Sequence, residues 1–327
     1  MKLMASLAAF PAALMMVAAP AVMAADKYPS QPVRLVVGFS PGSSIDLVAR
    51  IIGDGLSKRM GTTFIVENKT GANGMIAART VQQSKPDGHT LLVSNSSSIT
   101  VNPLLFSDLG YDPLKDFAPI STVVSVPFVL TTNPDNPNTK NISSVEDLIA
   151  KAKADPGAVT YGSAGNGNLM HLAGAQLAAM SDTQMTHVPY RGAAAMEAGL
   201  LANEIFFGFD TLSGVPLMKS GKLKPLAMSS KERWRELPDV PSLDELGYQG
   251  FDISFWVGTF AAAGTPAEIV ERLNKEIAAV VQEPEVRERL MQQGNILTQT
   301  PPEFIKKIEN ELEQNGDLIK RANIKLE

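Results

Sequence analysis

Apolar runs alternate with amphipathic segments along most of the chain. Residues 33–37 are a continuous apolar run that predicts a strand, and residues 45–60 repeat apolar positions at helical spacing. The same alternation continues with a strand at 63–67, a helix at 75–84 and a strand at 89–94. This order is typical of βαβ units, in which parallel strands form a sheet between helices, so the pattern predicts an α/β fold.

The rhythm changes at residues 119–135, which hold two extended stretches broken by Pro127. A second alternation follows, with helices at 145–154, 169–180, 193–202 and 215–219 and strands at 158–161, 186–189 and 205–210. After another extended run at 251–263, the segments 267–293, with a break expected at Pro284, and 302–321 predict helices.

The two C-terminal helices are followed by no further strand, so we expect them to pack on the first sheet. Domain 1 is therefore predicted as residues 26–128 plus 259–327, and domain 2 as residues 129–258. A chain that crosses twice between two domains leaves a cleft between them. The 303 residues that follow the first 24 also exceed the size at which a single core usually splits into two.

The first 24 residues differ from the rest of the chain. Lys2 provides a positive start, residues 3–17 are apolar, and Val22-Met23-Ala24 has the small side chains that signal peptidase accepts. Pro11 and Pro20 interrupt the run, which is also short for a membrane anchor. We interpret residues 1–24 as a secretory signal peptide.

Charge and composition narrow the range of functions. The net charge is −5 and the basic residues form no cluster, so no nucleic-acid partner is expected. The chain has no cysteine, which excludes disulfides and thiol nucleophiles. His171 and His187 are isolated from metal-binding motifs, and no phosphate-binding or dinucleotide motif is present. We therefore expect neither a metal nor a cofactor.

The segment GFSPG at 38–42 matches the nucleophile elbow of serine hydrolases, with Ser40 as the nucleophile. The elbow requires a backbone N–H from the next residue, and Pro41 has none. The same segment lies between a strand and a helix, where unpaired backbone N–H groups attract an anion. Two interpretations remain open here: an anion-binding turn, or a simple helix cap at Ser44.

Two further turns have the same character. Residues 94–98 follow the third strand, and residues 162–168 join a strand to a helix in the other predicted domain. Small, hydroxyl-rich turns from both domains favour a ligand site in the cleft, because open α/β sheets bind ligands at the carboxyl ends of their strands.

A series of ordered motifs resembles the Bug/TctC family, the periplasmic solute-binding receptors of tripartite tricarboxylate transporters. The motifs are YPSQPVRLVV at 28–37, VENKTGANG at 66–74, PDGHTLL at 86–92, YGSAGNG at 161–167, HVPYRG at 187–192, LPDVPS at 237–242 and AGTP at 263–266. The resemblance implies a two-lobed, type II periplasmic-binding-protein fold. Each lobe would be a mainly parallel sheet flanked by helices, and two crossover strands would join the lobes.

The resemblance also implies a ligand and a site. In this family a small carboxylate is held largely by backbone N–H groups and ordered waters of the loops that match 39–44 and 163–168, and the loop that matches 209–211 tunes the choice of ligand. Together with the turn at 94–96 and with Arg191 as a cation partner, this gives the candidate ligand-binding residues Phe39, Ser40, Gly42, Ser43, Ser44, Ser94, Asn95, Ser96, Ser163, Ala164, Gly165, Asn166, Arg191, Phe209, Asp210 and Thr211.

Several interpretations stay open at this point. Arg191 has a surface or lobe-bridging role as its alternative, and Asp210 is either an acceptor for the ligand or a helix cap. The family's first loop commonly reads PFPPGG, whereas this chain has Ser40 and Ser43 there, so the ligand is not fixed among di- and tricarboxylates, acidic amino acids and aromatic acids. We expect a periplasmic monomer that delivers its ligand to a membrane permease. The alternatives are a secreted hydrolase using Ser40 or Ser163, and a ligand-sensing partner of a signalling protein.

Overall fold

The computed structural model describes residues 28–321 and residue 324. The strands are β1 (Val33–Val37), β2 (Phe64–Asn68), β3 (Thr90–Asn95), β4 (Phe117–Pro127), β5 (Val129–Thr132), β6 (Thr160–Ser163), β7 (Thr186–Pro189), β8 (Phe207–Asp210), β9 (Lys224–Met228), β10 (Ser254–Ala262) and β11 (Asn295–Ile296). The helices are α1 (Ser44–Met60), α2 (Met75–Gln82), α3 (Asn102–Leu105), α4 (Val145–Ala154), α5 (Leu169–Met180), α6 (Ala193–Leu201), α7 (Val215–Lys219), α8 (Ala267–Gln282), α9 (Pro284–Met291) and α10 (Pro301–Arg321).

The strands form two sheets, and we call each sheet with its helices a lobe. The first sheet has the order β11-β4-β10-β3-β1-β2, and the second has the order β7-β6-β8-β5-β9. Strands β2, β1 and β3 run parallel, as do β7, β6 and β8. The remaining pairs are antiparallel, because β4, β5 and β10 carry the chain between the lobes and belong to no βαβ unit.

Strand β1 lies inside the first sheet, and its sequence explains why. Leu35 pairs with Val66 on one side and with Leu91 on the other. Leu35, Val36 and Val37 are completely buried, as expected for a parallel strand covered by helices on both faces. The carboxyl end of this strand leads directly into the turn before α1.

The chain crosses between the lobes at two adjacent points, and Ser229 connects them. Strand β4 continues into β5 through Phe128, and the segment before β10 returns to the first lobe at Ile253. The Ser229 hydroxyl accepts the backbone N–H of Phe128 at 2.8 Å and donates to the carbonyl of Ile253 at 2.6 Å. One buried side chain therefore holds both crossover segments together.

Most predicted elements lie within two residues of the observed ones. The helices predicted at 145–154 and 169–180 have the same bounds as α4 and α5, and the predicted break at Pro284 separates α8 from α9. The domain bounds stay a prediction. The proposed boundary at 259 lies inside β10, and all of this strand, from Ser254 onward, belongs to the first sheet.

The predicted signal peptide, residues 1–24, lies outside the described residues. Within the part of the chain that the structure describes, every helix is too short or too polar to span a bilayer.

Candidate functional site

A cavity of about 770 Å³ lies between the two lobes. Its walls include residues 38–45 and 70–74 of the first lobe and residues 164–166 and 190–194 of the second, with Phe128 and Phe255 at the crossover. The rings of these two phenylalanines are 5.4 Å apart. The cavity therefore combines polar turns from both lobes with an apolar floor at the crossover.

Most of the predicted site residues line this cavity. They are Phe39, Ser40, Gly42, Ser43, Ser44, Asn95, Ala164, Gly165, Asn166, Arg191 and Thr211. Five predicted residues do not line the cavity and are buried: Ser94, Ser96, Ser163, Phe209 and Asp210. Phe209, for example, stacks on Phe251 with ring centroids 5.9 Å apart, so it forms part of the second lobe's core.

The turn before α1 holds a buried, unpaired hydroxyl at the cavity wall. Ser43 is the N-cap, and its side chain accepts the backbone N–H of Asp46 at 3.4 Å. Ser44 is therefore not the cap. Its hydroxyl is buried at the cavity wall and has no hydrogen-bond partner among the described residues. The first N–H groups of α1, at Ser44 and Ile45, also lack an intrahelical acceptor.

The Asp46 side chain holds this turn in place through hydrogen bonds. Its carboxylate accepts the N–H of Gly42 at 2.9 Å, two bonds from Arg50 at 3.0 Å and the side-chain amide of Asn68 at 2.9 Å. Asn68 also donates to the carbonyl of Phe39. Burial alone would raise the pKa of Asp46, but these donors outweigh burial and lower it. The carboxylate is thus ionised and occupied by donors from the turn, α1 and β2.

Two helices of the second lobe also begin at the cavity. Asn168 caps α5, and its side-chain oxygen accepts the N–H of Met170 at 2.8 Å. Helix α6 begins at Ala193 after Gly192 and has no side-chain cap. Since Gly192, Ala193 and Ala194 line the cavity, the uncapped N–H groups of α6 lie at its wall. Sequence reasoning singled out only Arg191 in this segment and did not identify the helix terminus.

The loop at 70–74 was also not identified as part of the site. Gly71, Ala72, Asn73 and Gly74 all have positive φ, and all four line the cavity. Ala72 and Asn73 pay a steric cost for this conformation, which is common where a functional site fixes the backbone. The run of Gly, Ala, Asn and Gly was a turn signal that could have identified this loop.

Two hydrogen bonds join the lobes beside the cavity. The side-chain amide of Asn168 donates to Oδ1 of Asn73 at 3.4 Å, and the backbone N–H of Leu169 donates to the hydroxyl of Ser97 at 3.2 Å. Asn73 is in turn held by Asn102, whose side chain lies 2.7 Å from the Asn73 amide nitrogen. The start of α5 therefore contacts the first lobe directly.

The charged groups of the cavity wall lie in the second lobe. Arg191 is exposed and has no ion pair among residues 28–321. Glu197 lines the cavity, and Asp210 is buried behind it, with Oδ1 accepting the N–H of Thr211 at 2.7 Å. Burial raises the pKa of Asp210 well above its ordinary value, and the neighbouring Glu197 raises it further. The acid at the wall is Glu197 rather than the predicted Asp210.

The contacts of Ser163 resemble part of a catalytic dyad. Its hydroxyl lies 2.7 Å from Nε2 of His187. However, Ser163 is completely buried, does not line the cavity, and also contacts the backbone of Gly165. No group of three or more metal-binding side chains is found in the described portion of the chain.

The two lobes, the crossover strands and the cleft lined by helix N-termini define a periplasmic-binding-protein fold. The chain belongs to the tripartite tricarboxylate transporter receptor family, TctC, whose family model matches residues 48–324. This family consists of solute-binding receptors, so the chain is a periplasmic solute-binding protein and not an enzyme. The two-lobed fold expected from the sequence is confirmed.

Individual relatives support this assignment. The chain is 32% identical over 313 residues to protein BugT of Bordetella pertussis, which covers 95% of this chain and 94% of BugT. A Rhodopseudomonas palustris protein, MatC, solved with bound malate, has a TM-score of 0.81 at 28% identity, covering 89% of this chain and 100% of MatC. An R. palustris protein solved with adipate has a TM-score of 0.85 at 31% identity, covering 91% of this chain and 99% of that protein.

Proposed function

We propose that this protein binds a small carboxylate in the cleft and delivers it to a tripartite tricarboxylate-type membrane permease. The observation that carries the proposal is that the N-termini of α1, α5 and α6 line one cavity between the lobes. Helix N-termini combine free backbone N–H groups with a positive dipole, so they stabilise a negative charge. The unpaired hydroxyl of Ser44 adds a donor at the same wall.

The site supports backbone recognition more than ion pairing. Among the described residues that line the cavity, Arg191 is the one basic side chain, and it is exposed. The first-lobe turn contributes hydroxyl and amide groups, with its one acid, Asp46, already occupied. Two solved relatives hold malate and adipate, which supports linear dicarboxylates as ligands. We therefore place such acids first among the ligands to be tested.

Delivery follows from closure of the lobes on the ligand. Contacts that exist only when both lobes engage the carboxylate stabilise the closed form, and the permease would recognise that form. We further propose that the protein acts in the periplasm as a monomer, after removal of residues 1–24.

A thermal-shift screen tests the proposal. A ligand that binds the native state raises the melting temperature in proportion to RT ln(1 + [L]/Kd). Malate, adipate, citrate and glutamate would be compared with glucose and with the corresponding uncharged amides at equal concentration. We expect at least one acid to stabilise the protein and its amide to have no effect. Stabilisation by glucose alone, or equal stabilisation by acid and amide, would contradict anion recognition.

A further inference from the structure

Two histidines form a stacked pair behind the second-lobe turn at 163–168. The ring centroids of His171 and His187 lie 3.7 Å apart, with only 3° between the ring planes. His171 lies on α5 and His187 on β7, so the pair joins a helix to the edge of the sheet. Tyr161 packs against both rings, at 6.2 and 5.1 Å. Neither histidine lines the cavity.

His187 holds the start of the turn through Ser163. The hydroxyl of Ser163 lies 2.7 Å from Nε2 of His187, accepts the N–H of Gly165 at 3.1 Å and lies 2.9 Å from the carbonyl of Gly165. A hydroxyl has one proton to donate. If it donates to the carbonyl and His187 donates through Nε2–H, all three contacts are satisfied at once. This arrangement assigns the Nε2–H tautomer to His187.

His171 holds the end of the same turn. Its Nδ1 accepts the backbone N–H of Gly167 at 3.3 Å, so Nδ1 carries no proton and Nε2 does. Gly165 and Gly167 have φ of 140° and 71°, in the region that glycine adopts without strain. Their N–H groups are directed to Ser163 and His171, while residues 164–166 of the same turn line the cavity. His171 directly, and His187 through Ser163, thus fix two amides of the turn that lines the cavity.

We propose that His171 and His187 are positioning residues of the solute site: they hold the turn at 163–168 in the conformation that directs its backbone toward the ligand. This inference rests on the proposed function. It explains why two hydrogen-bonding rings stack directly behind this turn. It also explains the Ser163–His187 contact without nucleophilic chemistry, since the hydroxyl proton is used within the turn.

The electrostatics of the pair agree with this role. Burial lowers the pKa of His171 to about 4. Burial, with a smaller contribution from His171, lowers the pKa of His187 to about 3. Both rings are therefore neutral at neutral pH, and Nδ1 of His171 stays available as an acceptor.

Paired substitutions separate positioning from packing. H171L and H187L keep an apolar side chain but remove the polar atoms. H171N restores an acceptor near the place of Nδ1, and H187Q restores a donor near the place of Nε2. H89Q is the matched control, because His89 lies in the first lobe and outside the cavity. Affinity would be measured by calorimetry with the acid, among malate, adipate, citrate and glutamate, that stabilises the wild type most.

We expect each leucine variant to bind that acid about five- to tenfold more weakly, the effect of one hydrogen bond that orients the turn. H171N and H187Q should recover most of this loss, and H89Q should bind like the wild type. If the leucine variants bind normally, or if the polar variants bind as weakly as the leucine variants while remaining folded, the histidines do not position the turn.

A second measurement needs no ligand and remains valid if a variant fails to fold. In wild-type protein, ¹⁵N spectra of the imidazoles at pH 7 should show unprotonated Nδ1 on both rings. Amide hydrogen exchange at Gly165 and Gly167 should be at least tenfold faster in H187L and H171L, respectively, close to the wild-type rate in H187Q and H171N, and unchanged in H89Q. An Nδ1–H tautomer at His171 would overturn the inference. If no acid binds the wild type while these signatures are present, the proposed function fails and the positioning of the turn stands.

Discussion

The side-chain amide of Asn168, at the start of α5, donates to Oδ1 of Asn73 across the cleft, and the two atoms are 3.4 Å apart. Both residues line the cavity, and each belongs to a different lobe. Asn73 is a non-glycine residue with φ of 50° and ψ of 41°. Because the Asn73 side chain contacts the other lobe, we expect its substitution to change how readily the lobes close.

The substitution N73G tests this relationship. Glycine adopts the left-handed backbone conformation without strain, but it has no side-chain oxygen to accept the hydrogen bond from Asn168. We expect the ligand to bind about five- to tenfold more weakly, since the closed form loses a contact between the lobes. The free protein should also lose about 1–3 kcal/mol of stability, because the buried Oδ1 of Asn102 loses its donor. Calorimetry and small-angle scattering with and without ligand would measure affinity and compaction.

Ala72 provides the control for N73G. Its φ is 48°, so A72G relieves the same kind of strain in the same loop and removes no polar contact. We expect A72G to bind the ligand like the wild type. Equal weakening by A72G and N73G would mean that loop flexibility, and not the contact with Asn168, controls affinity.

Much of the fold was predictable from the sequence because its signals are local. Apolar runs such as Val33–Val37 are long enough to indicate a buried strand, and Pro284 ends one helix and begins the next. The antiparallel pairing of β10 with β3 and β4 was not predictable in this way, because it is set by contacts between segments more than 100 residues apart.

The part of the site formed by turns that directly follow strands was predictable from the sequence. The turns before α1 and α5 carried that signal, and their exposed residues line the cavity. Alternation along a strand also decides which side chain reaches the cavity, and this was missed for Ser94, Ser163 and Asp210, which are all buried. The loop at 70–74 carried a turn signal that was not used, whereas Glu197 lies within a helix and no local pattern placed it in the site.

Ser44 and Ser43 are adjacent hydroxyls with opposite expected effects. The Ser44 hydroxyl is buried without a partner, so S44A should leave the free energy of unfolding unchanged or slightly raise it. If the hydroxyl donates to the ligand, S44A should weaken binding about five- to tenfold. Denaturant unfolding and calorimetry would measure the two quantities.

Ser43 is the contrasting case. Its side chain caps α1, so S43A should lower the free energy of unfolding by about 1 kcal/mol. Unaltered affinity in S44A would show that the Ser44 hydroxyl does not contact the ligand. Unaltered stability in S43A would show that the cap bond to Asp46, at 3.4 Å, contributes little.

Asp210 and Asp46 are buried carboxyl groups with opposite pKa shifts. The pKa of Asp210 is raised, so the folded state holds a proton that the unfolded state releases above its pKa of about 3.9. This group therefore costs stability as the pH rises. D210N keeps the acceptor for the Thr211 N–H and removes the cost. We expect D210N to be more stable than the wild type at pH 8, with the difference disappearing near pH 4.

D46N should behave in the opposite way. The pKa of Asp46 is lowered, so its stabilisation is present above the unfolded pKa and is lost as the pH falls through the folded value. The asparagine lacks the negative charge that pairs with Arg50 and has one acceptor oxygen fewer. We therefore expect the free energy of unfolding to fall by about 1–3 kcal/mol at pH 7. Unfolding in denaturant at pH 4, 6 and 8 would measure both variants. A stable D46N or a destabilised D210N at pH 8 would contradict the assigned charges.

The histidine pair predicts a loss of stability in mild acid. The pKa values of about 4 for His171 and about 3 for His187 lie below the unfolded value of about 6.5. Between pH 6.5 and 4 the unfolded state therefore binds more protons, and the free energy of unfolding falls as the pH falls. The pair should contribute close to two protons to the linked uptake in this range, and H171N and H187Q should each lower the measured uptake by about one. An uptake that neither variant changes would exclude the pair as its source.

Ser229 holds both crossover segments, so its removal should affect the whole molecule. S229A leaves the N–H of Phe128 and the carbonyl of Ile253 without this partner in a buried region. Each buried unpaired group costs about 1–3 kcal/mol, and we expect a loss of at least about 2 kcal/mol in the free energy of unfolding. Hydrogen exchange at the Phe128 amide should also become faster in the native state, because its acceptor is lost.

S230A is the matched control, since the neighbouring Ser230 bonds only to the exposed carbonyl of Glu232. If S229A and S230A unfold at the same denaturant concentration, the Ser229 side chain does not hold the two crossover segments together.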